Sequence, residues 1–127
     1  MKIIWLGHSG FRIEIEAAVL LIDPWLTGNP MFPAGARAKA LHGATHVVLT
    51  HGHGDHAGDA LALAKELHVP IVGIYDLMSW YSSHDKVETY DLKSNLILYS
   101  FQSFSKLIRY AHILRTTGRA CCCAGIL

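Results

Sequence analysis

Thr45-His46-Val47-Val48-Leu49-Thr50-His51-Gly52-His53-Gly54-Asp55-His56 runs an apolar strand straight into a cluster of imidazoles and a carboxylate. Residues 45–50 read as a buried strand, because Val47-Val48-Leu49 is a continuous aliphatic run rich in β-branching. Three histidines and one aspartate then occupy the six positions 51–56. Imidazole with carboxylate suits zinc, iron or manganese, and the lack of thiolate argues against a purely structural zinc. His51 and His53, two apart on an extended segment, are expected to face the same side. Asp55 and His56 must then turn to serve a second position, with Gly52 and Gly54 supplying backbone freedom. The bland alternative is a solvated loop that happens to be rich in histidine. Four ligand-type residues at this spacing, at the carboxyl end of a strand, favour metal binding.

Upstream, Lys2-Ile3-Ile4-Trp5-Leu6 reads as a buried strand closed by the turn Gly7-His8-Ser9-Gly10. Phe11 to Glu16 alternates apolar and polar residues, as a half-exposed strand does, and Val19-Leu20-Leu21-Ile22 forms a third strand that delivers Asp23 at its end. Pro24 to Ala44 is a long loop with three prolines and three glycines, a length often associated with function. Downstream, Asp59 is placed as the N-cap of a helix over Ala60–Leu67, and Val69 to Ile74 is a short buried strand. A second helix is predicted over Asp76–Ser83 and a further strand over Val87–Tyr90. This order predicts an α/β chain, a mixed sheet with helices on one face.

The 127 residues carry a net charge of +1, which steers no strongly charged partner such as nucleic acid. That average hides a break. Residues 1–91 hold all ten acidic side chains against six lysines and arginines, and residues 92–127 hold five basic side chains and no acid. The chain is therefore divided into residues 1–91 and a divergent basic tail, 92–127. Ile97, Phe101, Phe104, Ile108 and Ala111 fall at helical spacing, with Gln102, Lys106 and Arg109 opposite, so the tail reads as a basic amphipathic helix. Cys121, Cys122 and Cys123 are adjacent, which suits neither a disulfide nor a zinc knuckle, and they read as free thiols. No signal-peptide pattern opens the chain and no apolar run approaches a membrane span, so a cytoplasmic protein is expected.

Three stretches together resemble one family: Leu6-Gly7-His8-Ser9-Gly10-Phe11, Ile22-Asp23-Pro24-Trp25-Leu26-Thr27-Gly28-Asn29-Pro30, and residues 45–59 with their H-x-H-x-D-H signature. They resemble the metallo-β-lactamase superfamily, in particular its uncharacterised metal-dependent hydrolases related to the ascorbate-6-phosphate lactonase type, over residues 1 to about 91. The resemblance implies the N-terminal half of an αββα sandwich. It implies His51 and His53 on one metal and Asp55 and His56 on a second. The pair would be zinc, with manganese or iron as alternatives, about 3.5–4 Å apart. It further implies a hydrolase in which Asp55 and His56 serve catalysis and a metal-bound hydroxide attacks an ester, lactone or phosphoester of a small molecule. Asp23 and Asp59 would orient ligands or cap elements, and His8 would either support a ligand or serve only its turn.

The family pattern calls for three later ligands: a histidine, a bridging aspartate and a final histidine. After His56 this sequence offers only His68, His84 and His112, and its last acid is Asp91. His112 lies near the expected spacing and is the candidate for the third histidine, although its neighbours are apolar and basic. The bridging aspartate has no candidate. Either residues from about 92 onward come from a shifted or mis-assembled reading frame, or the chain is a short relative acting as a non-catalytic metal-binding or membrane-surface module. On the first reading the site is weaker than a complete dinuclear centre, with its second position the emptier one.

Overall fold

The computed structural model describes residues 1–92. The predicted tail helix, His112 and the three cysteines lie outside the described residues. β1 (Lys2–Gly7), β2 (Gly10–Ile15) and β3 (Ala18–Ile22) form an antiparallel meander, which passes into a parallel series of β4 (His46–Val48), β5 (Ile71–Ile74) and β6 (Thr89–Leu92). The six strands lie side by side in chain order in one mixed sheet. The crossovers carry α1 (Arg37–Leu41), α2 (Gly54–Ala57), α3 (Ala60–Leu67) and α4 (Tyr75–Asp85).

Register shows why all four helices pack on one face. Leu21, Val47, Leu49 and Ile71 point to the same side and join Ala40, Leu41, Ala57, Leu63, Ala64, Met78 and Tyr81 in one buried cluster. Successive parallel strands in unbroken spatial order require every crossover to return on that side. The opposite face gathers Ile13, Ala18, Leu20, Ile22, Val48 and Val72 into a second apolar cluster. Among the described residues no helix packs there, and by register Ile3, Trp5 and Phe11, all exposed, extend it towards the β1 edge. These residues thus supply one sheet and one helical layer of the sandwich that the resemblance implies.

Three expectations are corrected. The long loop hides α1, too short for its composition to announce. β2 does alternate, but Arg12 on its polar side is buried, while Phe11 on the apolar side is exposed. The Arg12 guanidinium donates to the carbonyls of Ala40 (2.9 Å) and His42 (2.7 Å), the end of α1, where a cation meets the negative end of the helix. Glu14 pairs with Arg12 at 2.9 Å, and that hydrogen bond holds its carboxyl below the usual range. Asp59 stands at the start of α3 but makes no capping bond. Its carboxylate instead accepts the amides of Leu26 (2.7 Å) and Thr27 (2.6 Å), tying the long loop to the helix.

Arg12→Ala is expected to lower stability by about 2–4 kcal/mol, because a buried and a part-buried carbonyl lose a charged donor. Urea unfolding checks this, and a change below about 0.5 kcal/mol would mean that the clasp does not seat α1.

Candidate metal centre

Of the side chains singled out in the sequence, His8, Asp23, His51, His53, Asp55 and His56 meet at the carboxyl ends of β3 and β4, beside the β1–β2 turn. Asp23 follows β3 directly, in the left-handed region at φ 42°, a conformation that aspartate tolerates better than most residues. Its amide donates to Val48 O at 2.9 Å, which turns its side chain under the loop that leaves β4. Only 3% of Asp23 is exposed. A buried carboxylate must be fully partnered, and this one is. Oδ1 accepts the Thr50 amide at 2.8 Å, and Oδ2 accepts the Thr50 hydroxyl at 2.6 Å and Nδ1 of His56 at 3.0 Å.

That network assigns two tautomers. His56 donates from Nδ1 to Asp23, which leaves Nε2 with its lone pair. Thr50 gives its hydroxyl proton to Asp23, so its oxygen accepts Nδ1–H of His51 at 2.8 Å, and Nε2 of His51 also keeps a lone pair. One buried carboxylate therefore orients two imidazoles in the form that binds metal, a role carboxylates commonly play behind metal-ligating histidines.

His51 and His53 do come together, with Nε2 and Nδ1 3.0 Å apart and ring centroids at 4.6 Å. His56 lies on the other side of His51, centroids 4.0 Å apart. The turn that separates Asp55 and His56 from the first pair is α2, with His53 extended just before it. Neither Gly52 nor Gly54 uses the left-handed region, so the backbone freedom expected of them is not what shapes the loop. Gly7 is the glycine that matters. Its φ is 92°, and a Cβ there would come within 2.9 Å of Asn29 Nδ2 and of the Met31 carbonyl carbon.

His8 and Asp55 face each other, Nε2 to Oδ2 at 3.1 Å, and the His8 ring stands edge-on to Trp25 (5.5 Å) and His56 (5.4 Å). Desolvation pushes the Asp55 carboxyl up, but its backbone hydrogen bond and the neighbouring His56, His8 and His53 outweigh this and hold it below the ordinary value. Because the folded value is depressed, the stabilisation it gives is present above the ordinary aspartate value of about 3.9 and is lost as pH falls through the folded one. Asp55 is thus an anion throughout the neutral and weakly acidic range. Donor atoms of His8, Asp55 and His56 lie within 4.8 Å of one another, and so do those of Asp23, His51 and His56. Oxygen and imidazole donors without sulfur fit a divalent ion of the zinc, manganese or iron type.

Two residues of this constellation are absent from the sequence reading. Thr50 carries the link from Asp23 to His51, and Trp25 walls His8. Thr50 had a signal, a hydroxyl closing an apolar strand one residue before the first histidine.

A metallo-beta-lactamase superfamily profile matches residues 3–117. A UPF0173 metal-dependent hydrolase of Cereibacter sphaeroides is 70% identical over 88 residues, 69% of this chain and 38% of that protein. A UPF0173 metal-dependent hydrolase of Paracoccus denitrificans is 64% identical over the same shares. The chain therefore spans little more than a third of the length of these relatives. Among solved structures, Igni18, a metallo hydrolase from the archaeon Ignicoccus hospitalis, superposes with a TM-score of 0.63 at 24% identity, covering 71% of this chain and 38% of that one. At that identity the likeness is one of fold, and the fold agrees with the family match. This chain belongs to the metallo-beta-lactamase superfamily.

Proposed function

We propose that residues 1–91 are the metal-bearing half of a hydrolase that cleaves an ester, lactone or phosphoester of a small molecule, using two zinc ions. Two histidines, His51 and His53, hold one ion, and Asp55 and His56 hold the other. Asp23 fixes the ring orientation of His56 directly and that of His51 through Thr50. Asp59 holds the loop of Leu26 and Thr27 at the rim of the site, where it can shape the approach of a substrate. When bound, the ions supply an acidified water at neutral pH and polarise the carbonyl or phosphoryl oxygen under attack. The observation that carries this reading is the shared carboxylate of Asp23, since a loop of free surface histidines has no need of a buried anion that sets two tautomers. The relatives' description as metal-dependent hydrolases supports the reaction class.

With four of the usual ligands and no bridging aspartate in the sequence after His56, the isolated chain is expected to turn over little or nothing. Misplacement of an ion by about 1 Å can cost roughly a hundredfold in rate. The test compares this chain with a hybrid in which residues 1–91 are joined to the remainder of the Cereibacter relative. Both are loaded with zinc or manganese and assayed on generic phosphodiesters and lactones. Metal-dependent turnover by the hybrid, lost on His56→Ala, is the expected result. Equal turnover by the chain alone, or none by the hybrid on either substrate class, would overturn the proposal.

A further inference from the structure

We infer that His8 is itself a metal ligand, and that His8, Asp55 and His56 form the better of the two positions on this chain. The inference rests on the metal-binding reading above and names a donor that reading does not use. His56 has only Nε2 free, because Nδ1 is held by Asp23. Nε2 of His8 and Oδ2 of Asp55 are 3.1 Å apart, and one donor atom from each of the three residues falls within the same 4.8 Å cluster. Two donors on a tetrahedral zinc, each at about 2.0–2.1 Å, stand about 3.3 Å apart. The His8–Asp55 spacing is therefore close to what a shared ion requires.

The backbone at His8 is built to hold that position. φ is 49°, outside the regions ordinary side chains favour, at a cost of about 1 kcal/mol or more. Its carbonyl accepts the Trp5 indole N–H at 2.8 Å, and Gly7, before it, is pressed against Asn29 and Met31. A turn that only reversed the chain would be served there by glycine or asparagine without strain. Instead an imidazole is held against Asp55 and edge-on to His56. Three protein ligands with room for a fourth is the pattern of a catalytic zinc. In the other donor group, Asp23, His51 and His56, the Asp23 oxygens and Nδ1 of His56 are engaged with Thr50 and with each other, which leaves that position His51 and His53 from the loop. The position of Asp55 and His56 then fills first, which reverses the order suggested by the sequence.

The test places a thiol at position 8. In a parent protein with Cys121, Cys122 and Cys123 replaced by serine, His8→Cys is titrated with cobalt(II). A thiolate-to-cobalt charge-transfer band in the near ultraviolet, absent from the parent, is expected, because only direct ligation produces it. His8→Asn, which tolerates the left-handed backbone, is titrated alongside and should lose at least tenfold in cobalt affinity. If the parent binds cobalt but His8→Cys gives no band, or His8→Asn keeps the parent's affinity, the inference falls while the metal-binding reading stands. A parent that binds no cobalt sinks both.

Discussion

Asp23→Ala is expected to destabilise the fold by about 3–5 kcal/mol and to weaken metal binding by at least tenfold. The carboxylate is 3% exposed and accepts three hydrogen bonds. Its loss leaves the Thr50 amide, the Thr50 hydroxyl and His56 Nδ1–H without an acceptor, and an unsatisfied buried donor costs about 1–3 kcal/mol. Alanine also fits φ 42° poorly, so backbone strain adds to the loss. Asp23→Asn separates the two effects. Asparagine accepts the left-handed conformation and keeps the side-chain shape, so part of the stability should return. Its amide offers one acceptor oxygen in place of two, so the tautomers of His51 and His56 are no longer both enforced, and metal affinity should stay low. Urea unfolding and zinc titration of the two variants check this. Equal metal affinity in Asp23→Asn and the unaltered protein would show that the carboxylate does not prepare the imidazoles.

His56→Ala is expected to have the largest effect on metal, a loss of about a hundredfold or more in affinity. His56 is the one residue shared by both donor groups, His8–Asp55–His56 and Asp23–His51–His56. Removing it leaves His8 and Asp55 as a pair on one side, and on the other takes from Asp23, which orients His51 through Thr50, one of its three hydrogen bonds. The ring is 14% exposed and donates to the buried Asp23 carboxylate, so the cost to folding should be about 1–3 kcal/mol. Competition against a chromophoric chelator measures the affinity, and a circular dichroism melt verifies the fold. Retained tight binding would mean that the ion sits elsewhere in the chain.

Much of the architecture was legible because it rests on local patterns. Val47-Val48-Leu49 is apolar throughout, as a strand covered on both faces must be, and β4 does lie inside the sheet. Leu61, Ala64 and Leu67 fall at helical spacing and pack on the core, Ala64 buried and the two leucines partly so, which is why the stretch after Asp59 could be read as a packed helix, and Leu63 beside them is buried too. Boundaries shifted where hydrogen bonding reached past the composition: α4 begins at Tyr75 and ends at Asp85, and β6 runs Thr89–Leu92 because it pairs with Ile71–Ile74.

What the sequence hid is what depends on distant partners. Arg12 reads as a surface residue until the carbonyls at the end of α1, 28 and 30 residues away, come to rest on it. Asp59 has the right type and position for a cap, yet two amides of the long loop reach its carboxylate first. The candidate site divides in the same way. The loop 51–56 was evident from residue type and spacing, because ligand chemistry is written in side chains. That Asp23 sets His51 through Thr50 depends on β3 and β4 lying side by side, a relation no local pattern contains. His8 was visible as a turn histidine, and only the fold brings it to Asp55.

The measurement that bears most directly on the metal centre is X-ray absorption at the zinc edge, on the unaltered chain loaded with one equivalent of zinc. The expected spectrum has nitrogen and oxygen neighbours at about 2.0–2.1 Å, outer-shell scattering from at least two imidazoles, and no sulfur. A sulfur shell at about 2.3 Å would put the ion on the cysteines at 121–123 and contradict a centre built on the histidines and carboxylates of the loop.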